Sequence, residues 1–238
     1  MQIPIVKISD LGLVNKKKLA NGTGIYIIKK NSKILKIFKE ILSSIDFKNK
    51  YRFKIIKIGS KDARVFNKEN KKSKNIGYFK KIELFPWNKQ NINFFIKLKD
   101  LFLFKERFDH LHHKNCNLKN EILDNKFYNK SAYCKIQVTL YPKNYGYFSK
   151  HDDGKSNKML ISTSLYKRNK SSKVKKSLLF YPNNSEAIAP ETFKFGDIVI
   201  YNLCIPHEVK KNNVDRISII LAKSLLGKKS KKIKWKKK

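Results

Sequence analysis

The sequence is poor in cysteine, and the cysteines that it has are scattered. Cys116, Cys134 and Cys204 form no CxxC pair, which excludes a disulfide scaffold and a structural zinc site of the usual spacing. Long apolar runs are missing too. No stretch of about eighteen uncharged apolar residues occurs, and the start, MQIPIVKISD, lacks the basic and apolar blocks of a secretory leader. We therefore expect a protein of the reducing cytoplasm that has no membrane span.

Acidic residues are also scarce. The 18 Asp and Glu are outnumbered by 55 Lys and Arg, which gives a formal net charge of +37. Such a charge attracts anions, including nucleic acids and acidic membranes. The lysines are spread along nearly the whole chain, whereas specific nucleic-acid binders concentrate their charge and favour arginine. A nucleic-acid partner is therefore not favoured, and most of the lysines are interpreted as a solvated surface. The basic block at residues 226–238 is predicted to be a tail.

The chain does have enough apolar residues to form a core. Hydrophobic residues make up 41% of its 238 residues, and no Gly/Ser linker or internal repeat divides them. We predict a single domain over residues 1–238, in which residues 1–130 form a supporting region of helices and strands. YRFKIIKIGS predicts a strand in that region, and apolar residues at helical spacing predict two helices on either side of it. These residues are Leu35, Phe38, Ile41, Leu42 and Ile45 in the first helix, and Phe95, Ile96, Leu101, Phe104, Phe108 and Leu111 in the second.

From about Cys134 onward the sequence changes to short runs that are rich in β-branched and aromatic residues. The runs are CKIQVTLYP, YGYFSKH, MLISTSLY, KSLLFYP, FGDIVIYN, IPHEVK and DRISIILAKSL. Turn residues separate them and no helical pattern intervenes, which indicates antiparallel sheets. Their number and spacing fit a jelly roll, with a tight turn at Gly196 and Asp197 before a buried strand. The predicted fold class is mainly β with N-terminal helices (α+β).

One of these runs ends in the polar group HDDG. Residues i and i+2 of an extended chain point to the same side, so His151 and Asp153 share a face while Asp152 points away. An imidazole and a carboxylate make two ligands of a metal, and His207 supplies a third from another predicted strand. This set leaves the other metal positions open, which suits iron(II) that must bind O2 and a co-substrate. Asp152 replaces Asp153 as the ligand if a β-bulge shifts the register.

A second polar pair lies in DRISIILA. Arg216 and Ser218 share a face of the predicted strand, and strand alternation buries them among isoleucines. A guanidinium beside a hydroxyl is suited to hold a carboxylate in bidentate fashion. A bound dicarboxylate is therefore one way to satisfy this arginine, because a buried arginine without a partner costs several kcal/mol.

The order His-x-Asp, His and Arg-x-Ser along a run of short strands resembles the Fe(II)/2-oxoglutarate-dependent dioxygenases. The resemblance covers roughly residues 134–225. It implies a double-stranded β-helix core, a form of jelly roll, over residues 131–225. It also implies an oxidoreductase that needs Fe(II), 2-oxoglutarate and O2, and that releases succinate and CO2.

The resemblance further assigns roles to particular residues of this chain. The three residues that it implies as iron ligands are His151, Asp153 and His207. Those that it assigns to the 2-oxoglutarate are Arg216, which holds the C5 carboxylate, Ser218, which assists, and either Tyr141 or Tyr147, which adds a hydroxyl.

The chain departs from some branches of this family. Many relatives carry a Gly-Gly-Glu/Asp-Leu turn between the middle strands, where this chain has KSSKVKKSLLFYP. The nucleic-acid demethylase branch has a second arginine at the position of Ala222, and the halogenase branch lacks the ligand aspartate that Asp153 provides. These features favour a hydroxylase acting on a C–H bond of a small molecule, an amino acid or a peptidyl residue.

Two alternatives compete with this interpretation. One is a second metal cluster in DHLHH, which consists of Asp109, His110, His112 and His113. These histidines lie at the end of a predicted helix, where histidine commonly interacts with the negative end of the helix dipole. The other is a basic jelly-roll module that binds RNA or anionic surfaces without catalysis.

Overall fold

The computed structural model describes residues 5–6, 14–15, 18, 24–29, 32–45, 54–56, 77–112, 127–128, 132–152, 159–166, 177–182, 187–188, 196–202 and 204–225. Asp153, Cys116, His113 and the predicted tail at residues 226–238 lie outside these residues.

Three helices and eleven strands lie within the described ranges. The helices are α1 (Ser32–Ser43), α2 (Ile92–Lys97) and α3 (Lys99–His112). The strands before and between them are β1 (Ile5–Val6), β2 (Ile25–Ile28), β3 (Lys54–Ile56) and β4 (Gly77–Leu84). The strands that follow are β5 (Ala132–Tyr141), β6 (Tyr147–His151), β7 (Met159–Tyr166), β8 (Leu178–Phe180), β9 (Ile198–Asn202), β10 (His207–Val209) and β11 (Arg216–Leu225). Each of these last seven overlaps one of the seven predicted runs, and β5 begins two residues before its run.

The strands form a curled sheet with the order of a jelly roll. The larger layer has the order β1-β2-β9-β7-β11-β5-β4, with β3 also on β4, and the smaller layer has the order β6-β10-β8. Strand β4 connects them, because Gly77 and Tyr78 pair with β6 whereas residues 80–84 pair with β5. The β1–β2 pair is parallel, and the other described pairs are antiparallel. The predicted fold class, mainly β with N-terminal helices and a jelly-roll core, is confirmed.

Alternate residues of the larger layer face two different cores. Ile136 and Val138 of β5, with Ile217 and Ile219 of β11, pack on the helices and belong to the first core. Residues on the opposite face belong to the second core, between the two layers; they are Ile25, Ile27, Phe79, Tyr141, Val199 and Tyr201, and they pack with Leu178, Phe180, Ile205 and Val209. The second core is the interior of the jelly roll.

The helices pack differently from the prediction in two places. The buried face of α1 is formed by Ile34, Ile37, Phe38 and Ile41, whereas Leu35 and Leu42 are only half-buried. The second predicted helix is divided at Leu98, which is the C-cap of α2 and is itself buried. This division rotates the apolar face, so Ile96 is 51% exposed although its spacing placed it in the core.

Two turns lie together at one end of the jelly roll, and we call this the turn end. It consists of residues 142–146, which join β5 to β6, and residues 210–215, which join β10 to β11. The amide of Asn144 donates to the carbonyl of Asn212 at 2.7 Å, and the amide of Lys143 donates to the Asp215 carboxylate at 2.8 Å. These bonds hold the starts of β6 and β11 beside each other.

The turn end contains a glycine that cannot be replaced without a shift of the backbone. A Cβ on Gly146 would lie 2.6 Å from the nitrogen of Pro142, and it would lie closer still to backbone carbons of Tyr141. We expect Gly146→Ala to destabilise the fold by about 1–3 kcal/mol, the usual cost of overpacking. Circular dichroism should show a fall of the melting temperature by several degrees, about 2–4 °C per kcal/mol. Asn144→Gly is the control, because Asn144 has φ 63° and glycine adopts this conformation readily. Equal melting temperatures for the two variants would contradict the prediction.

Candidate active site

Two histidines meet on neighbouring strands of the smaller layer. His151 is the last residue of β6 and His207 is the first residue of β10, and they are directly opposite each other in the antiparallel register. Their ring centroids are 4.4 Å apart with an interplanar angle of 53°, and both side chains are buried. The strand pairing thus brings together two imidazoles that are far apart in the sequence.

Hydrogen bonds to the backbone fix which nitrogen of each ring carries the proton. The Nδ1–H of His151 donates to the carbonyl of Ser149 at 2.6 Å, and the Nδ1–H of His207 donates to the carbonyl of Ile205 at 2.9 Å. A carbonyl oxygen can only accept, so Nδ1 is protonated in both rings. Burial lowers the pKa of His207 to about 4, which makes this ring neutral at pH 7 and leaves the lone pair on Nε2.

A β-bulge in β6 adjusts the direction of His151. The register runs from His151 opposite His207 to Phe148 opposite Val209, so three steps on β6 face two steps on β10. Phe148 and His151 therefore share a face in spite of their odd spacing, and their rings stack with centroids 3.4 Å apart. Bulges commonly redirect a side chain beside an active site. This bulge precedes His151, so it does not decide between Asp152 and Asp153 as the metal ligand.

Other aromatic rings surround the histidine pair on the smaller layer and on β9. The ring of Tyr201 packs edge-on against His207 at 5.1 Å, and Phe180 packs against Tyr201 at 4.7 Å. Phe148, Phe180 and Tyr201 were not among the site residues predicted from the sequence. Strand alternation could have placed them inside the jelly roll, but only if the bulge and the strand order had been known.

Arg216 and Ser218 lie on the opposite layer and face the interior. Arg216 is 2% exposed, and its guanidinium carbon lies 5.4 Å from the ring centroid of Tyr141, its direct partner on β5. Ser218 is also buried and pairs with the buried Thr139. The larger layer thus carries a buried cation beside an aromatic ring, with two buried hydroxyl side chains at the next level of the sheet.

A chain of rings connects this arginine to the histidines. Phe79 packs against Tyr141 at 5.5 Å and against Phe148 at 5.6 Å, and Phe148 stacks on His151. The arginine and the histidines also interact through their charges, since Arg216 contributes to the lowered pKa of His207. Both parts of the predicted site therefore lie in one interior.

The two predicted tyrosines have different neighbours. Tyr141 contacts Arg216, whereas Tyr147 comes one residue before Phe148 on β6 and has the Nζ of Lys211 5.4 Å from its ring centroid. The structure therefore brings Tyr141, and not Tyr147, to Arg216.

Of the two aspartates that could complete the predicted metal site, only Asp152 lies within the described residues. Asp152 is exposed, and its charge raises the pKa of His207 against the larger effect of burial. Asp153 lies outside the described residues. Within the described part of the chain, no three His, Cys, Asp or Glu residues form a group that could hold a metal ion. The ligand set of His151, Asp153 and His207 therefore stays a prediction.

The rival cluster lies elsewhere in the fold. Asp109, His110 and His112 belong to the last turns of α3, outside the jelly roll. Glu208, next to His207 on β10, is half-buried and accepts a hydrogen bond from the hydroxyl of Tyr181. Burial and this bond raise the pKa of Tyr181 to about 12.

The fold is that of the 2-oxoglutarate and Fe(II) oxygenases: a double-stranded β-helix of two layers with helices packed on the larger one. No protein-family model and no curated protein matches the chain in sequence. Among the described residues, no helix is long and apolar enough to cross a membrane.

Solved structures of this fold match nearly the whole chain. A prolyl-4-hydroxylase of Pseudomonas putida matches with a TM-score of 0.54 and 13% identity over 89% of this chain and 97% of that chain. A prolyl hydroxylase of Trichoplax adhaerens, solved with a peptide fragment of the hypoxia inducible factor oxygen degradation domain, has a TM-score of 0.53, 17% identity and coverages of 89% and 88%. A 2OG-Fe(II) oxygenase family oxidoreductase of Burkholderia pseudomallei has a TM-score of 0.53, 11% identity and coverages of 94% and 96%. At these identities the likeness establishes the fold.

Proposed function

We propose that the protein is an Fe(II)- and 2-oxoglutarate-dependent oxygenase that hydroxylates a C–H bond of a small molecule, an amino acid or a peptidyl residue. The observation that carries the proposal is the register pair His151 and His207, whose rings are 4.4 Å apart in the same interior as the buried Arg216. The fold shared with known oxygenases of this type supports it.

The histidines fit the donor set that iron(II) requires. Both rings carry their proton on Nδ1, so both present Nε2 as the ligand atom. The backbone carbonyls that accept these protons also fix the ring orientations, which is the usual role of groups around a metal-binding histidine. Imidazole nitrogens with a carboxylate suit iron(II), and we assign the carboxylate to Asp153.

The arginine fits the co-substrate. Arg216 has the charge and the planar fork that hold a carboxylate, and its position over Tyr141 restricts the rotation of the guanidinium. Ser218 lies two residues further along the same face of β11 and is also buried. We assign Arg216, with Ser218 and Tyr141 beside it, to the C5 carboxylate of 2-oxoglutarate.

When bound, iron and 2-oxoglutarate supply the oxidising chemistry, which uses O2 and releases succinate and CO2. The contribution of the chain is to bind, to orient and to exclude water. Phe148, Tyr201 and Phe180 enclose the histidines in apolar surface, and Phe79 fills the space between the two layers. A dry interior of this kind directs a strong oxidant toward the substrate and limits side reactions.

Succinate release tests the proposal directly. The purified chain with iron(II), ascorbate and 2-oxoglutarate should form succinate slowly even without its substrate. Asp153→Ala should abolish this reaction, because it removes a charged ligand of the metal. Asp152→Ala is the matched control and should retain most of the rate, since the side chain of Asp152 is exposed.

Loss of succinate formation in Asp152→Ala but not in Asp153→Ala would identify Asp152 as the ligand. No succinate from the iron-loaded wild-type protein would contradict the proposal and favour a module that binds without catalysis. Such a module would instead bind RNA in a manner that weakens steeply with salt. The cytoplasmic location stays a prediction.

A further inference from the structure

One face of the larger layer is polar where the interior of a jelly roll is usually apolar. This face carries Arg216 and Ser218, and it continues along β5 and β4 through Thr139, Gln137, Lys135, Lys81 and Glu83. Thr139 is 1% exposed, and the side chains of Lys81, Glu83 and Lys135 are 20%, 22% and 16% exposed. These side chains are therefore not on an open solvated surface, and burying them has a cost that a function would explain.

The three charged residues form a connected cluster, which we call the charged strip (Lys81, Glu83 and Lys135). Both lysine Nζ atoms lie 2.7 Å from the same carboxylate oxygen, Oε1 of Glu83. These lysines lower the pKa of Glu83 against the opposing and larger single effect of its burial, so the carboxylate is ionised at neutral pH. Two positive charges and one negative charge leave the strip with one net positive charge.

Glu83 and Lys135 lie away from the turn end on the larger layer, as His151 does on the smaller layer. Both β5 and β6 begin or end at that turn end. Gln137 on β5 lies four residues from Tyr141, and His151 on β6 lies four residues from Tyr147, so each is about 13 Å from the turn end. Arg216 pairs with Tyr141 at the turn end itself, whereas Lys81, Glu83 and Lys135 lie one, two and three levels of the sheet further from that end. Lys81 therefore lies at the level of Ser218, and the strip extends from there away from the proposed co-substrate anchor.

At the level of Ala222, the positive charge is on the neighbouring strand β5. Ala222 pairs directly with Lys135 across β11 and β5. Position 222 itself carries no charge, so the positive charge at this level comes from Lys135 on the neighbouring strand. A lysine is a compact charge on a flexible stem, so it can reach a single carboxylate without a fixed planar geometry.

We propose that the charged strip is the substrate-specificity site of the proposed oxygenase, and that it binds one carboxylate group of the substrate, such as an acidic side chain next to the residue that is oxidised. One added carboxylate balances the single net charge of the strip. This inference rests on the proposed function for its meaning, but binding to the strip does not require turnover.

A peptide-binding experiment tests the strip independently of catalysis. The probes are short dye-labelled peptides that are identical except for a central Glu, Gln or Lys, and their binding to the full-length chain is measured by fluorescence anisotropy at about 0.15 M salt, where distant charges are screened. We expect the Glu peptide to bind about fivefold more tightly than the Gln peptide, the size of one partly exposed ion pair. Lys81→Met with Lys135→Met should remove this preference.

Two further variants make the test specific. Lys80→Met is the matched control, because Lys80 neighbours Lys81 on β4 and lies on the other face of the sheet; it should keep the preference. Glu83→Gln should increase the preference, since the lysines then lose their internal counter-ion, and a gain of this kind cannot come from misfolding. Equal binding of the Glu and Gln peptides to the wild-type chain, or equal loss of preference in Lys80→Met, would overturn the proposal.

The remaining outcomes also decide the matter. If none of the peptides binds at millimolar concentration, the strip does not bind a peptide carboxylate. If a short single-stranded oligonucleotide binds the wild-type chain and loses affinity specifically in the double lysine variant, the strip serves nucleic acid and the proposal is wrong. A Glu preference in a protein that forms no succinate would leave the strip as a binding site and refute the oxygenase.

Discussion

His207→Ala is expected to lower the affinity of the chain for divalent metal by more than about 100-fold and to abolish succinate formation. Loss of a group that only orients a metal ligand typically costs 10–100-fold in metal affinity, so loss of the ligand itself should cost more. His151→Ala should have the same effect, because the two rings face each other across one strand pair. The measurement is a titration with Co(II), whose absorption reports the ligands, combined with an assay of succinate.

The control for this prediction is a histidine of the rival cluster. His110→Ala should leave Co(II) affinity and succinate formation unchanged, since α3 packs outside the jelly roll. If His110→Ala instead removes the Co(II) signal while His207→Ala retains it, the metal site lies at the end of α3 and the proposed active site is wrong. Circular dichroism of each variant separates loss of metal from loss of fold.

The strands of the jelly roll were predictable because each run had its own local signal. MLISTSLY and DRISIILAKSL match β7 and β11 as runs of β-branched and apolar residues, and turn residues mark their ends. Gly196 has φ 88°, in the left-handed region that glycine prefers, and Asp197 after it is buried and pairs with Lys29 at 3.3 Å. Local chemistry therefore determined both the strand and the turn.

The helix faces were less predictable because the helices contain more apolar residues than one face can hold. In α1, both Ile34 and Leu35 fit a helical spacing with Phe38 and Ile41, and packing against the larger layer decides that Ile34 is buried. The break between α2 and α3 at Leu98 could not be predicted, because no proline or glycine occurs there in the sequence. Tertiary contacts, which a single sequence does not contain, resolved both cases.

The positions of the main candidate residues were more predictable than their surroundings. His151, His207 and Arg216 were selected for their order along short strands and for the faces that strand alternation gives them, and they lie in one interior; their roles stay a prediction. Phe148 was missed because its position beside His151 depends on the bulge in β6. The charged strip was missed because its lysines look like many others in a chain with 55 Lys and Arg. Only the register of β4 on β5 separates them from the surface lysines.

Arg216→Ala is expected to raise the concentration of 2-oxoglutarate that half-saturates succinate formation by about 30-fold or more, with Co(II) affinity within about twofold of wild type. A hydrogen bond to a charged group contributes about 1.5–3 kcal/mol, and about 2 kcal/mol corresponds to a 30-fold change in affinity. The arginine lies on the layer opposite the histidines and contacts Tyr141, so its removal should leave the metal ligands in place.

Arg216→Lys separates the charge from the geometry of this anchor. Lysine keeps the positive charge but lacks the planar fork, so we expect a half-saturation value between those of the wild type and Arg216→Ala. Ser218→Ala should have a smaller effect, because it removes one neutral hydrogen bond, worth about 1 kcal/mol. Equal losses of Co(II) and 2-oxoglutarate binding in Arg216→Ala would show instead that the arginine holds the two layers together and does not bind the co-substrate. In that case Arg216→Lys would be destabilised to a similar extent as Arg216→Ala, since the contact of the guanidinium with the ring of Tyr141 would be lost in both.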